Sequence, residues 1–329
     1  MVGKVKAEDR RAFETDGVVC LRGVLSAAEV GYLRAAVERQ LAALSTSRTG
    51  YDFEAIAGQV WAPYGDIDTG FADRFDMSRM KDMIRSDASA RPLVEDIVDG
   101  AGGMFFYDVA AWKHDGGVRE VAFDSALPEI VSELMDAAYV NFWEDTTFVK
   151  APRTRQKTAF HQDLAYFQIK GDQCAVVWIP LDPANLENGV MQYVRGSHLW
   201  GQTYAPNVFV SQTPFASSPE VRCPDIEGRA SEFDITSFDV EPGDVIIHDV
   251  RTVHGAGGNP SDLWRRAVSF RYCGDRVRYF DRPGSIPQVG VSHQLRDGDR
   301  LLARDYPIVW PKPWPGLRLS ELFGSSPGI

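Results

Sequence analysis

No stretch of about 18 uncharged apolar residues occurs anywhere in the 329-residue chain, so no segment reads as a membrane span. The opening, Met1 to Arg11, carries too many charges for the apolar core of an export signal, and a cytoplasmic protein is expected. Cysteine is scarce and scattered. Cys20, Cys174, Cys223 and Cys273 contain no Cys-x-x-Cys pair, which excludes a disulfide framework and a thiolate zinc site and leaves reduced, mostly buried thiols. Basic charge is in deficit as well: 35 Lys and Arg against 46 Asp and Glu give a net charge of −11, the wrong sign for a general binder of nucleic acid or anionic membrane. Internal repeats, low-complexity tracts and long Pro/Gly/Ser linkers are missing too, so a single domain spanning 1–329 is expected.

What is present is enough apolar sequence to bury a large core, with 44% hydrophobic and 25% charged residues. Ser26-Ala27-Ala28-Glu29 fits a capping box, and Val30, Leu33, Val37, Leu41 and Leu44 recur at helical spacing, predicting a helix over 26–45. A second helix is predicted over 124–136, with Asp124 or Ser125 as cap, Pro128 in the first turn, and a stripe of Ile130, Val131, Leu134 and Met135. From Tyr139 the pattern turns to short β-type runs at 139–149, 173–181, 190–195, 244–249 and 265–273, the sequence of a sandwich or barrel. Glu187-Asn188-Gly189 signals a hairpin between two of these runs, and Glu241-Pro242-Gly243-Asp244 signals a turn into a third. The polar segment 200–240 reads as an insertion or lid, and Trp310 to Pro315 as a rigid stretch along the surface.

The six histidines can be sorted by context. In His161-Gln162-Asp163, a period of two puts imidazole and carboxylate on one face, close enough to chelate one ion. One His-x-Asp is a weak signal by itself. A second segment, 243–255, delivers His254 into a glycine-containing turn as a candidate third ligand. Two imidazoles and one carboxylate leave coordination positions open, the arrangement a non-haem Fe(II) oxygenase needs, and the lack of thiolates disfavours structural zinc. In Arg265-Arg266, one side chain must face inward if the strand alternates; a bidentate carboxylate such as that of 2-oxoglutarate, or an internal acid, would satisfy it.

Taken in order, "FETDGVVCLRGVLSAAEV", "HQD" at 161–163, "WIPLDPANLENGVMQYVRGSH" at 178–198 and "GDVIIHDVRTVHGAGGNPSDLWRRAVSFRY" at 243–272 resemble the phytanoyl-CoA dioxygenase family of Fe(II)/2-oxoglutarate-dependent oxygenases, which includes ectoine hydroxylases. The resemblance implies a mainly β protein with α additions: a double-stranded β-helix, or jelly roll of cupin-like form, with N-terminal helices packed outside. On this pattern 1–138 is mostly helical, 139–280 is the jelly-roll core with its insertion at 200–240, and 281–329 is a tail. The resemblance makes His161, Asp163 and His254 the iron ligands and Arg265 the partner of the 2-oxoglutarate C5 carboxylate. It places Trp178 beside that cosubstrate, although the same tryptophan also reads as core packing. His248 has the wrong parity and position for a ligand and reads as structural or as a neighbour of the ligands; His198 reads as structural, and His114 and His293 as surface residues.

Two departures stand out. The family often carries a serine two residues after the distal histidine, where this chain has Ala256. No equivalent is found of a lysine some members use, the neighbourhood being occupied by Phe106, Tyr107 and Asp108. Related halogenases replace the ligating carboxylate with a small residue; Asp163 favours hydroxylation instead. The implied cofactors are Fe(II), 2-oxoglutarate and O2, with succinate and CO2 released. Lys150, Arg153, Arg155 and Lys157 form a basic run that could sit at the mouth of the site and favour an anionic small molecule, or simply protect an edge strand. Trp143, Glu144, Tyr166, Phe167 and Arg251 are candidate substrate contacts. No basic surface suited to coenzyme A is visible, so a small metabolite is expected. Desaturation, cyclisation or epimerisation, a cupin-like metal isomerase or hydrolase, and a binding protein without turnover remain alternatives, and oligomeric state is not legible.

Overall fold

Strands that are buried on both faces read as continuous apolar runs, and this explains why Val245-Ile246-Ile247 and Cys174 to Pro180 lack the alternation of a half-exposed strand. The computed structural model describes residues 5–44, 50–52, 103–207, 209–212, 214, 219–283, 285, 288, 290–291, 294–301 and 305–312. Among these the elements run α1 (Ala7–Asp16), β1 (Val18–Leu21), α2 (Ala27–Ala42), β2 (Tyr51–Asp52), β3 (Phe105–Val109), α3 (Gly116–Asp124), α4 (Leu127–Met135), β4 (Val140–Lys150), β5 (Thr158–His161), β6 (Ile169–Lys170), β7 (Cys174–Pro180), β8 (Met191–Val194), β9 (Ile235–Ser237), β10 (Val245–Asp249), β11 (His254–Ala256), β12 (Arg265–Gly274), β13 (Arg278–Tyr279) and β14 (Ile308–Trp310). One antiparallel sheet has the order β1-β10-β7-β12-β4-β3-β2, with β14 also on β4; a second has the order β5-β11-β8-β9.

The period of two divides the large sheet into an outer and an inner face. On β12, Val268, Phe270 and Tyr272 join Val177, Ile179, Val245 and Ile247 under the helices, which contribute Leu33, Val37, Val121 and Val131 to the same core. Arg265, Ser269 and Arg271 point the other way, toward the small sheet. The predicted helices are α2 and α4. In α2, Ser26 Oγ accepts from Glu29 N and the Glu29 carboxylate accepts from Ser26 N at 2.7 Å, a cap that contributes about 1 kcal/mol. Asp124 is not the cap of α4: it ends α3, a helix not predicted, and Ser125 Oγ accepts from Leu127 N instead.

The first 138 residues are more than helical cover, because β1 and β3 extend the large sheet. The hairpin expected at Asn188-Gly189 is not one. β7 pairs with β10 and β12, whereas β8 pairs with β11 and β9, so this turn carries the chain from one sheet to the other. Gly189 does take the positive φ, +83°, that the signal requires, but a tight reversal does not oblige its flanking strands to pair. The expected surface stretch at Trp310 begins as β14, which hydrogen-bonds to β4.

Candidate metal centre and anion cradle

The inner faces of the two sheets line a narrow cavity that opens to solvent, and the ligand candidates meet inside it. His161 closes β5, and His254 opens β11 directly opposite it. Asp163 lies just beyond the strand, at the start of a 3₁₀ turn over 163–166; the expected period-two alternation is replaced by a turn that brings its Oδ1 to 3.4 Å from His161 Nε2 and 3.9 Å from His254 Nε2. One ligand atom from each of the three lies within 4.8 Å of the others. Both imidazoles are oriented by backbone: His161 Nδ1 is 2.7 Å from Ala159 O and His254 Nδ1 is 2.9 Å from Thr252 O, so each Nδ1 carries the proton and each Nε2 offers a lone pair inward.

Electrostatics keep Asp163 and His254 in their ligating forms. Burial would raise Asp163, but the imidazoles of His161, His248 and His254 and the Arg271 guanidinium outweigh it and hold the carboxyl well below the usual range. Burial, then the neighbouring His161 and His248, pulls His254 well below the ordinary imidazole value. A neutral imidazole and an ionised carboxylate are what a divalent cation requires.

His248 does face this cavity, with its ring centroid 4.4 Å from that of His254 and its Nε2 3.7 Å from Asp163 Oδ2. The parity argument fails because the turn between β10 and β11 resets the phase. His248 still lies outside the three-donor group and neighbours it, as expected. His198 is structural, its Nε2 3.1 Å from Glu14 O; His114 is exposed, and His293 lies outside the described residues.

At the other end of the cavity Arg265 is the inward member of its pair, while Arg266 faces out and is held by Asp182 and Glu38. Arg265 has no carboxylate within ion-pair distance among the described residues, its Nε is buried without a hydrogen-bond partner, and burial pulls its guanidinium down to about 10. Its Cζ lies 6.0 Å from the Trp178 ring, and Trp178 Nε1 is likewise buried without a partner.

Across β4, directly opposite Arg265, stands Lys150. This lysine corrects the expectation of a basic run at the mouth: it is fully buried, donating to Gly257 O at 2.6 Å, whereas Arg153 and Lys157 pair on the surface with Asp262 and Glu227. It also supplies the inward lysine that the sequence did not reveal. Burial, and then Arg265, pulls its ammonium well below 10.5. Ala256, which lacks the serine hydroxyl, has Thr158 as its cross-strand partner, and Thr158 lines the cavity.

Of the five substrate candidates, Tyr166 and Phe167 come nearest: the Tyr166 ring stands edge-on to His161 at 5.5 Å, and the Phe167 ring lies 5.2 Å from Arg271 Cζ. Glu144 is buried opposite Arg271, Trp143 stacks on Tyr306 at 4.7 Å, and Arg251 is engaged by Asp249 at 2.7 Å. Arg271, Ser269, Phe148 and Phe209 line the cavity and were not singled out from sequence. The signal for Arg271 and Ser269 was available, since both share the phase of Arg265.

The phytanoyl-CoA dioxygenase family model matches residues 13–267. The probable phytanoyl-CoA dioxygenase of Caenorhabditis elegans is 24% identical over 146 residues, 44% of this chain and 45% of that protein, so the match spans less than half the length of that curated relative. Among solved structures, the non-heme alpha ketoglutarate dependent carbocyclase SnoK from nogalamycin biosynthesis superposes with a TM-score of 0.61 at 23% identity, covering 92% of this chain and 96% of that one. EctD from S. alaskensis, with 2-oxoglutarate and 5-hydroxyectoine, superposes with a TM-score of 0.59 at 16% identity, covering 90% and 85%. At these identities the likeness is one of fold.

Proposed function

The chain belongs to the phytanoyl-CoA dioxygenase family, and from that premise we propose that it is a non-haem Fe(II)- and 2-oxoglutarate-dependent oxygenase that hydroxylates an aliphatic C–H bond of a small molecule. The observation that carries this reading is the cavity itself, lined by a His161-Asp163-His254 donor set and by the buried Arg265, whose cross-strand partner is the buried Lys150. A dicarboxylate with a keto group beside one carboxylate matches both the donor set and the guanidinium.

Iron(II) with 2-oxoglutarate and O2 supplies oxidative decarboxylation to succinate and CO2, coupled to oxidation of the substrate C–H bond. The chain's residues do the rest. His161 and His254 present Nε2 lone pairs and Asp163 a single negative charge, a donor set that would hold a divalent ion. Arg265 would bind and orient the distal carboxylate, and Lys150, its cross-strand partner, adds positive charge behind it. Phe148, Trp178 and Met191 give the cavity apolar lining.

The likeness to SnoK supports a second outcome, ring closure, because hydroxylation and cyclisation share removal of a substrate hydrogen and diverge only afterwards, in the bond that forms at the substrate carbon. The surface pairing of Arg153 and Lys157 removes the main reason for favouring an anionic substrate. Anaerobic addition of Fe(II) and 2-oxoglutarate tests the reading through the visible charge-transfer band of the chelate. The band should appear in the wild type and be lost in His161→Ala and weakened in Arg265→Ala, with succinate released once substrate and O2 are supplied. Iron bound with no band would overturn it in favour of a metal isomerase that has no use for Arg265.

A further inference from the structure

We propose that His248 and Arg271 are positioning residues for Asp163: they hold its second carboxylate oxygen, so that one oxygen alone is offered to a metal. The proposal rests on reading His161, Asp163 and His254 as metal ligands.

The three candidate ligands are not anchored alike. His161 and His254 are each fixed by a backbone carbonyl two residues earlier, whereas the groups that approach the Asp163 carboxylate are side chains: those of His161, His248, His254 and Arg271. Its Oδ1 faces the two ligand imidazoles. Its Oδ2 faces His248 Nε2, at 3.7 Å, and Arg271 Nε, at 4.0 Å. His248 Nδ1 and Nε2 and Arg271 Nε are all buried without a hydrogen-bond partner, an expensive arrangement unless they serve something in the cavity. A shift of about 1 Å brings both donors to hydrogen-bond distance from Oδ2.

The sheet register explains how two residues so far apart in sequence come to share one oxygen. Cross-strand partners place His248, Val176, Arg271 and Glu144 in one row across β10, β7, β12 and β4. Arg271 is itself held there, donating through Nη1 to Thr146 Oγ1 and lying over the Phe167 ring. Asp163 is the acid it approaches, with Oδ2 4.0 Å from its Nε, and Glu144 is its cross-strand partner on β4. Without these donors the free oxygen of Asp163 would be left buried and unpaired once the other engaged a metal. The carboxylate would then turn to chelate through both oxygens or swing away.

The test is titration of the metal-free protein with Co(II) alone, whose visible bands report coordination as well as affinity. Removing such outer partners typically weakens metal binding about 10- to 100-fold. Arg271→Met and His248→Phe are therefore each expected to weaken Co(II) binding by that order and to alter the bands, while Arg271→Lys recovers much of the loss. Thermal unfolding of the metal-free variants reports whether they fold. Wild-type affinity and bands in folded Arg271→Met and His248→Phe would overturn the proposal, as would equal losses in Arg271→Met and Arg271→Lys with unchanged bands. A wild type whose Co(II) binding is indifferent to Asp163→Ala would remove the metal-centre reading itself, and this proposal with it.

Discussion

Lys150 and Arg265 stand directly opposite each other on β4 and β12, two buried cations without a carboxylate partner within ion-pair distance among the described residues. Like charges in a low-dielectric interior repel and are poorly solvated, so this pairing costs stability until an anion joins it.

Cosubstrate affinity should depend on both cations. Removing one partner of a buried charge pair typically costs 2–5 kcal/mol, so Arg265→Ala should weaken anaerobic 2-oxoglutarate binding on the order of 30-fold or more. Lys150→Met should weaken it in the same direction. Calorimetric titration of the Fe(II)-loaded protein measures both, and an unchanged affinity in both variants would remove this cavity end as the carboxylate site.

The same lysine gives a pH dependence. Its proton affinity in the folded protein lies below the ordinary value of 10.5, so between the two values the unfolded chain holds more protons than the folded one. Stability of the ligand-free wild type should therefore rise as pH climbs from neutrality toward 10.5, and the full penalty applies below the folded value. Lys150→Met has no such proton to lose. Its melting temperature should exceed that of the wild type near neutrality, and the gap should narrow as pH rises; a gap constant with pH would contradict the assignment.

Thr158 stands where it can replace the hydroxyl missing at Ala256. One hydrogen bond is worth about 0.5–1.5 kcal/mol, so Thr158→Val should weaken 2-oxoglutarate binding about 2- to 10-fold. Ala256→Ser in that background should restore part of the loss, read out by the same calorimetric titration.

Gly189 combines a φ of +83° with close backbone packing: a Cβ there would lie 2.5 Å from Gly258 O. Gly189→Ala is expected to destabilise by about 1–3 kcal/mol, measured by urea unfolding. Gly258 adjoins the carbonyl of Gly257 that accepts from Lys150, so 2-oxoglutarate binding should weaken with it.

The donor trio, the inward Arg265 and the five main β runs were legible because each rests on local pattern: a short motif, an alternation, a turn residue. Arg271 obeyed the same alternation as Arg265 and could have been read from it. Lys150 could not, for its place at the end of a mixed β run beside three other basic residues looks the same whether it ends in solvent or lies across from a guanidinium. His248 neighbours the donor set, as expected, but not for reasons of parity, since alternation ends where β10 gives way to a turn.

By itself, then, the sequence determined which residues alternate, where strands and capped helices lie, and which side chains have ligand chemistry, because those properties depend on neighbours a few positions away. The tertiary structure alone decided that Lys150 meets Arg265, that His248 and Arg271 converge on one oxygen of Asp163, and that the chain changes sheets at Gly189. Register between strands distant in sequence is set by how whole faces pack, and no local pattern carries that information.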